Sequence, residues 1–484
     1  MLSIMIFLPV LAAIIIFMFR DNDEMSRKIA LFSSLAVLAV GVFLYSSFDG
    51  GNPDFQFVEK LKWFPQLGIN YYLGVDGLSF PLILLTAVLT PLVIYFSWGQ
   101  SKRAPLFFAL FLLIEAGVIG VFSSLDFILF IVFWEIVLIP MFFIIGIWGG
   151  ARKSYASLKF LIYTHIASLI LLVAIFPMYL QGLDILGYPT FSIPELTGMG
   201  FPLSFQKIWF PILFLAFAVK IPIVPFHTWL PDAHVEAPTA GSAILAGVLL
   251  KMGTYGMIRI AYLMHPDAAV GYTIPVIVLG LMNVVYGALV ALKQDDLKKM
   301  IAYSSISHMG FVVLGIQAFN YYGLSGAVFQ MVAHGLISAA LFMSCGTVQY
   351  ATGTRKISLL QGLYKKMPVG MTLMILIFFA SMGMPGFVGF ISEFLVLLGF
   401  FQAYGFWVLL LGAGIIISVG YYLWAFQRIA FGNLPKSLSE VTDIKRYEAI
   451  TISILLVLIV YLGLQPHQLF SLIDGKIISI LAGI

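Results

Sequence analysis

Four ionisable side chains lie inside long apolar stretches of this sequence, where a membrane-spanning helix is otherwise made of hydrocarbon. They are Glu135, Lys220, Lys251 and Glu393. A charged group at the centre of a bilayer costs about 2.5 to 3.5 kcal/mol on insertion scales, so residues of this kind usually line a route for ions. Because Lys and Glu can both bind and release a proton when their surroundings change, the first chemistry that these residues indicate is proton transfer.

Glu135 and Lys220 are the preferred pair among the four. Glu135 follows Trp134 and has apolar sequence on both sides, which predicts a deep position in the membrane. An isolated buried carboxylate stays protonated, whereas a nearby ammonium keeps it ionised, so a pair that opens and closes changes both proton affinities together. A static ion pair between helices is the alternative, and it is less favoured because buried ion pairs are poor stabilisers.

Lys251 and two histidines extend this pattern. Lys251 lies twelve residues after Thr239, the start of its apolar stretch, which is too deep for its ammonium to reach the membrane surface. His308 and His334 fall within apolar helices, where an imidazole can pass a proton in either direction. A lone buried histidine is more often a hydrogen-bonded core residue. The presence of Lys251 and Glu393 in the same chain favours the relay.

Weaker signals come from Glu115 and from the string Asp232-Ala233-His234-Val235-Glu236. The string superficially offers three metal ligands, but no fourth ligand is near it, and we predict a loop joining the seventh and eighth spans. Glu115 is either another buried carboxylate or a helix contact on the outer side. The single cysteine, Cys345, excludes internal disulfides and cysteine clusters for zinc or iron and sulfur. No phosphate-binding or dinucleotide motif is present, so any redox chemistry must belong to other chains.

The elements that position these residues are membrane-spanning helices. Of the 484 residues, 61% are hydrophobic and 10% are charged, with a mean hydropathy of +1.04, which indicates an all-α polytopic membrane protein. A spanning helix needs about 20 apolar residues. Fourteen candidates begin near residues 2, 29, 76, 104, 125, 155, 206, 239, 272, 298, 324, 368, 406 and 448. We interpret the first as a retained span and not as a signal peptide, because no basic stretch precedes it.

Lys and Arg residues concentrate in alternate loops. An even number of spans places both termini on one side, and this charge bias predicts the non-cytoplasmic side for both. The net charge of +4 is then explained by a basic membrane face, without a nucleic-acid partner. Residues 47–74 and 181–206 form the long connections, and we expect them to cap the outer face.

Helix breakers lie beside two of the ionisable residues. Pro222 and Pro225 follow Lys220, and Gly383-Met384-Pro385-Gly386 precedes Glu393. Discontinuous helices at corresponding positions are typical of inverted repeats in transporters. The pattern predicts three helices over residues 1–100, one five-helix repeat over 101–265, a second and inverted repeat over 266–432, and a C-terminal transmembrane helix within 433–484.

Five groups of residues form a wider pattern along nearly the whole chain. They are Phe133-Trp134-Glu135 with Pro140, Val219-Lys220-Ile221-Pro222, the stretch from His227 to Thr239, Ser307-His308-Met309-Gly310-Phe311, and Ala333-His334-Gly335. Together they resemble the antiporter-like membrane subunits of respiratory complex I and its relatives. The resemblance implies fourteen helices in two inverted five-helix repeats, with broken seventh and twelfth helices.

The same resemblance implies roles for individual residues. The subunit M type has glutamate where the L and N types have lysine, so Glu393 favours the M type. The long lateral helix of the L type is expected to be absent. By this resemblance Glu135 and Lys220 form the coupling pair, Lys251 is the central proton carrier, and Glu393 is the outlet. His308 and His334 would be the relay between Lys251 and Glu393.

Partners and cofactors also follow from the resemblance. It implies L-type and N-type neighbours, an indirect link to a peripheral redox arm, and a prokaryotic inner or plasma membrane. No cofactor is expected in this chain, whereas flavin or deazaflavin-linked input, iron–sulfur clusters and a quinone-like acceptor are expected in other subunits. NADH, ferredoxin and reduced deazaflavin all fit as donors. The alternatives are a monovalent cation/proton antiporter subunit, which would more often have lysine at position 393, the membrane subunit of an energy-converting hydrogenase, and a static scaffold.

Overall fold

The computed structural model describes residues 1–483, which fold almost entirely into α-helices. In the first half of the chain these are α1 (Leu2–Met18), α2 (Asp23–Ser47), α3 (Phe80–Phe96), α4 (Ala104–Ser123), α5 (Phe127–Trp148), α6 (Lys153–Leu186), α7 (Ile193–Thr197), α8 (Leu203–Lys220), α9 (Trp229–Glu236), α10 (Thr239–Ile244) and α11 (Leu250–Gly256). The rest are α12 (Pro266–Gly271), α13 (Thr273–Leu292), α14 (Leu297–Gln317), α15 (Tyr321–Thr352), α16 (Pro368–Ser381), α17 (Val388–Tyr404), α18 (Val408–Ala430), α19 (Arg446–Leu464) and α20 (His467–Ala482).

The predicted all-α membrane architecture is confirmed. In the described part of the chain, eleven helices are long and apolar enough to cross a membrane, and three shorter apolar helices accompany them, Leu2–Met18, Phe80–Phe96 and Pro368–Ser381. The second span begins at Asp23, earlier than the predicted residue 29. Its charged first turns are accommodated because Arg27 and Lys28 pair with Asp23 and Glu24 one turn earlier.

Polar caps fix where several spans begin. The side chain of Asn22 accepts a hydrogen bond from the Met25 amide at the start of α2, and Asp126 caps α5 in the same way. Asp296 and Asn320 cap α14 and α15. Each cap satisfies a backbone N–H that the helix itself leaves free.

A β-hairpin lies in the connection after α2, where the sequence predicted only a cap. Strands β1 (Gln56–Phe64) and β2 (Ile69–Val75) pair antiparallel, and their turn includes Gly68 at φ +73°. The hairpin is fixed to the connection before α5, because the Asn70 amide donates to Asp126 at 2.9 Å. Burial raises the pKa of Asp126 to about 6, although its bonds from backbone amides oppose this.

The second predicted cap, residues 181–206, is shorter than expected. Helix α6 continues to Leu186 and ends at Gly187, which has φ +76°, and only the short helix α7 follows before α8. The long α6 spans 34 residues, so part of the predicted connection extends the span.

The breaks predicted beside Lys220 and Glu393 are both present. Lys220 is the last residue of α8, and the chain turns before α9 begins at Trp229. The freed backbone there is satisfied by Asn283, which accepts from the Val224 amide at 2.6 Å and donates to the Pro222 carbonyl at 3.3 Å. Residues 382–387 separate α16 from α17, which carries Glu393. Buried polar partners of this kind allow an interrupted helix inside a membrane.

The eighth span is continuous but irregular. Between α10 and α11 it has a π-helical segment, Leu245–Leu249, and a second one, Met257–Tyr262, follows α11. The span is buried along its whole length, and α15 is buried from Gly323 to Val348. These two helices form the centre of the bundle and carry Lys251 and His334.

Helix α20 was not predicted. Residues 433–484 were expected to hold one transmembrane helix, but α19 is followed by a second helix that packs against α3 and α15. Its buried residues, Leu469, Leu472, Ile473, Ile477 and Ile480, recur with the spacing of one helix face. Its exposed residues include His467, Ser471 and Ser479 together with Ile478, and it has only 16 residues, so α20 resembles a helix on the surface of the bundle more than a span.

Candidate functional site

The centre of the candidate site is Lys251 on α11. Its side chain is fully buried, and Nζ donates to the carbonyl of Ala246, in the π-helical segment, at 2.5 Å. The same Nζ lies 2.7 Å from His334 Nδ1. The sequence predicted Lys251 and His334 as members of one pathway, and the structure brings them into hydrogen-bond contact.

A second contact joins His308 on α14 to Glu393 on α17. His308 Nδ1 lies 3.1 Å from Glu393 Oε1, and the rings of His308 and His334 are 5.7 Å apart between centroids. His334, His308 and Glu393 all line one cavity of about 10 Å³. A cavity of this size has room for about one water molecule.

Several hydroxyl and amide groups complete the surroundings of His308. Gln330 lies 3.4 Å from its Nδ1, and Ser381 lies 3.4 Å from its Nε2. Ser381 then donates to Tyr422 at 2.8 Å, and Tyr422 donates to Ser304 at 2.9 Å. Sequence reasoning missed all four groups, because single Ser, Gln or Tyr residues within a span carry no signal of their own.

The break before α17 is adapted to Glu393. Gly383 has φ +70°, and a Cβ built on it would lie 2.6 Å from Glu393 Oε2. Only glycine combines this backbone conformation with such a close approach. The glycine that predicted the break therefore also makes room for the carboxylate.

Lys220 lies buried at the end of α8. Among the described residues, its Nζ has no hydrogen-bond partner. The ammonium is 5.2 Å from the centroid of the Trp134 ring and 5.9 Å from that of Phe160. Aromatic faces attract a cation. In this conformation Lys220 therefore makes cation–π contacts and no direct ion pair.

Glu135 lies inside the span α5, but it does not contact Lys220 in this conformation. It was expected to be deep in the membrane and to pair with Lys220; its side chain is 31% exposed on the outward side of α5. Its Oε2 lies 3.3 Å from Nδ1 of His165 on α6. Sequence reasoning missed His165, although its place in the apolar stretch of α6 is the same anomaly that identified the lysines.

The acidic residues of the string from Asp232 to Glu236 form ion pairs with basic side chains. Asp232 and Glu236 lie in helix α9, not in the predicted loop, and Arg152 contacts both while Lys159 donates to Asp232 at 2.8 Å. His234 stacks on Phe342 instead of approaching these carboxylates. In the described residues no group of three side chains is placed to hold a metal ion.

Glu115 is buried on α4. Both of its carboxylate oxygens lack a hydrogen-bond partner among residues 1–483. None of the hydrogen bonds or ion pairs around Lys251 and Glu393 includes Glu115.

Comparison with known proteins gives consistent similarities. A family model described as NADH:quinone oxidoreductase/Mrp antiporter, TM, matches residues 124–418, and one described as NADH-ubiquinone oxidoreductase chain 4, amino terminus, matches residues 1–119. The chain is 43% identical over 492 residues to F(420)H(2) dehydrogenase subunit M of Methanosarcina mazei, covering 99% of this chain and 98% of the relative. It is 41% identical over 495 residues to NADH-quinone oxidoreductase subunit M of Rhodobacter capsulatus, covering 99% and 95%.

Solved structures show the same likeness. A chain of respiratory complex I from Thermus thermophilus with bound NADH superposes with a TM-score of 0.90 and 27% identity, over 100% of this chain and 99% of that chain. A chain of the Mrp complex from Dietzia superposes with a TM-score of 0.87 at 21% identity, over 99% of both chains. The second likeness concerns the fold alone.

Proposed function

This chain belongs to the NADH:quinone oxidoreductase/Mrp antiporter family of membrane proteins, and from that premise we propose that it is the M-type subunit of a complex I-type proton pump. In such a pump, electron transfer to a quinone-like acceptor occurs in other subunits, which hold the flavin or deazaflavin-linked input and the iron–sulfur clusters. This chain contributes the proton path. The relatives named F(420)H(2) dehydrogenase subunit M and NADH-quinone oxidoreductase subunit M support the assignment.

The observation that carries the proposal is the series of contacts from Lys251 to Glu393. Lys251 Nζ reaches His334 Nδ1 at 2.7 Å, and His308 reaches Glu393 at 3.1 Å. The small cavity between the histidines supplies the remaining link. A proton taken up by His334 at Nδ1 leaves from Nε2, which has no protein partner among the described residues.

Lys220 and Glu135 control this path in the proposed mechanism. Lys220 is buried without a hydrogen-bond partner among residues 1–483, so the energy of its charge depends on how close Glu135 comes. When Glu135 moves away, Lys220 releases its proton more easily toward Lys251. When Glu135 approaches, Lys220 holds its proton and the path is blocked.

The proposed surroundings of the chain follow from the same assignment. We place both termini on the non-cytoplasmic side of a prokaryotic membrane, with L-type and N-type subunits as neighbours. We also propose that the first repeat covers residues 101–265 and the inverted repeat covers 266–432, since the breaks beside Lys220 and Glu393 then correspond. The regions 1–100 and 433–484 flank the repeats.

The test is redox-driven proton pumping by the intact complex in sealed vesicles. Lys251→Ala removes the central carrier and should lower pumping by about two orders of magnitude, the scale of a lost acid–base group. Lys220→Ala and Glu135→Ala should also lower it sharply. The matched control is Lys293→Ala, because Lys293 is an exposed lysine outside the spans.

Assembly of each variant is checked by blotting. Normal pumping by an assembled Lys251→Ala complex would overturn the proposal. Exchange of sodium for protons without any redox substrate would indicate the cation antiporter instead.

A further inference from the structure

The contact between Glu135 and His165 has no role in the pathway described above. The two side chains meet at 3.3 Å where α5 and α6 pack together, and 31% and 52% of their surfaces are exposed. Both residues lie within helices that are apolar enough to cross a membrane. A polar pair in this position requires a reason, since ionisable groups in contact with hydrocarbon are costly.

The surface around the pair is apolar. Exposed neighbours on the two helices are Ile136 and Ile166, which directly follow the pair, and Ile139, Ile162 and Leu169 one turn away. A surface of this composition suits lipid or an apolar protein face. The carboxylate of Glu135 therefore depends on His165 for its hydrogen bond on this side.

Lys220 is fully buried at the end of α8, toward the interior of the bundle. Its ammonium lies 5.2 Å from the ring centroid of Trp134, the residue immediately before Glu135. A glutamate has three side-chain torsions, and rotation about them moves its carboxylate by several ångströms. Glu135 thus has one partner toward the interior and one toward the surface, and it contacts the outer partner in this conformation.

We propose that His165 is a positioning residue that holds the Glu135 carboxylate away from Lys220, so that Glu135 exchanges between His165 and Lys220 as the pump works. The inference rests on the proposed function, because it acts through the Glu135–Lys220 pair. Loss of the His165 hydrogen bond leaves Glu135 with Lys220 as its partner. The conformation in which Glu135 lies away from Lys220, so that Lys220 gives up its proton, is then less populated.

The experiment uses the intact complex in vesicles and two readouts, proton pumping and the redox-induced infrared difference spectrum. The carboxyl band of Glu135 is identified as the band that is absent in Glu135→Gln. His165→Phe keeps an aromatic ring, suits the apolar surface and removes the hydrogen bond. His165→Gln keeps an N–H donor. Leu169→Ala is the control, since Leu169 lies one turn away on the same exposed face.

The expected result is a shift of about tenfold in the ratio of the two Glu135 positions, the size of one hydrogen bond to a charged group. His165→Phe should therefore change the Glu135 band and slow pumping by about tenfold. His165→Gln should restore most of both, and Leu169→Ala should resemble the wild type. If His165→Phe does not assemble, His165→Leu takes the same test.

Three outcomes distinguish failure of the inference from failure of the proposed function. If Lys251→Ala abolishes pumping while assembled His165→Phe leaves the Glu135 band and pumping unchanged, the role of His165 is wrong and the pump assignment stands. If Leu169→Ala slows pumping as much as His165→Phe, the effect belongs to the surface and the inference fails. Normal pumping by Lys251→Ala overturns the proposed function itself.

Discussion

Gly383 combines a left-handed backbone conformation with a close approach to Glu393, the proposed outlet carboxylate. In Gly383→Ala the new Cβ would fall 2.6 Å from Glu393 Oε2, on a backbone with φ +70°. We expect assembly to persist and pumping to fall severalfold, because Glu393 is pushed from its contact with His308. Vesicle pumping and the assembly blot measure this.

Gly386 supplies the control for that prediction. It also has a positive φ, +96°, but a Cβ on it meets no atom within 4 Å. Gly386→Ala therefore carries the backbone strain, about 1 to 2 kcal/mol, without the contact to Glu393. Equal loss of pumping in both variants would assign the effect to strain and not to the carboxylate.

At the residue scale, the sequence predicted charged groups better than neutral ones. Lys251, His334 and Glu393 were found because an ionisable side chain in an apolar stretch is rare. Gln330, Ser381 and Tyr422 were missed, since neutral polar residues are common in spans and gain meaning only from a neighbour on another helix. The contact between Glu135 and His165 was also missed, because the direction of a side chain around its helix depends on packing.

Among the elements, α20 is held to the bundle by a buried ion cluster. Asp76, before α3, accepts from Arg259 at 2.5 Å and lies 3.1 Å from Lys476 on α20. Burial by itself raises the pKa of Asp76, but the charges of Arg259 and Lys476 outweigh this and hold it at about 2. Its ionised form is thus stabilised by the fold.

We expect Asp76→Asn to lower the free energy of unfolding by about 3 kcal/mol at neutral pH, because it leaves a buried cation without its partner. A carboxyl whose pKa is lowered from 3.8 to about 2 stabilises the fold above pH 3.8. This contribution disappears as the pH falls toward 2. The difference in thermal unfolding between wild type and variant should therefore be large at pH 7 and shrink below pH 3.8.

The control is Asp21→Asn, because Asp21 is exposed in the turn between α1 and α2. It should unfold at the wild-type temperature throughout this pH range. A difference between wild type and Asp76→Asn that stays constant down to pH 2 would contradict the assigned role of the ionised carboxylate.

At the same scale, the helix breaks were predictable and the hairpin was not. Single prolines such as Pro140 and Pro177 lie inside continuous helices, but two breakers close together, as at Pro222 with Pro225 and at Gly383 with Pro385, were sufficient signals of a break. The strands of the hairpin lack a clear alternation of apolar and polar residues, and their pairing is stabilised by the distant Asp126. Helix α20 was missed because it is only 16 residues long and amphipathic.

For the whole molecule, the orientation in the membrane gives a direct prediction. Lys62 lies in the hairpin and Lys293 follows α13, and both are exposed. With both termini outside, a membrane-impermeant maleimide should label Lys62→Cys in intact cells and Lys293→Cys only after permeabilisation. The native Cys345 is buried, and the wild-type chain shows its background. The reverse pattern would invert the orientation, and labelling of both in intact cells would contradict the spans.

The size of the cavity between His308 and His334 also limits which ions can pass along the proposed path. With about 10 Å³ of space, it has room for about one water molecule. A proton crosses such a point by breaking one hydrogen bond and forming the next. A sodium ion must instead keep its water ligands or have them replaced by protein oxygens. On the proposed proton path, this constriction would therefore admit protons and exclude other cations, which protects the membrane potential from leakage while the pump is at rest.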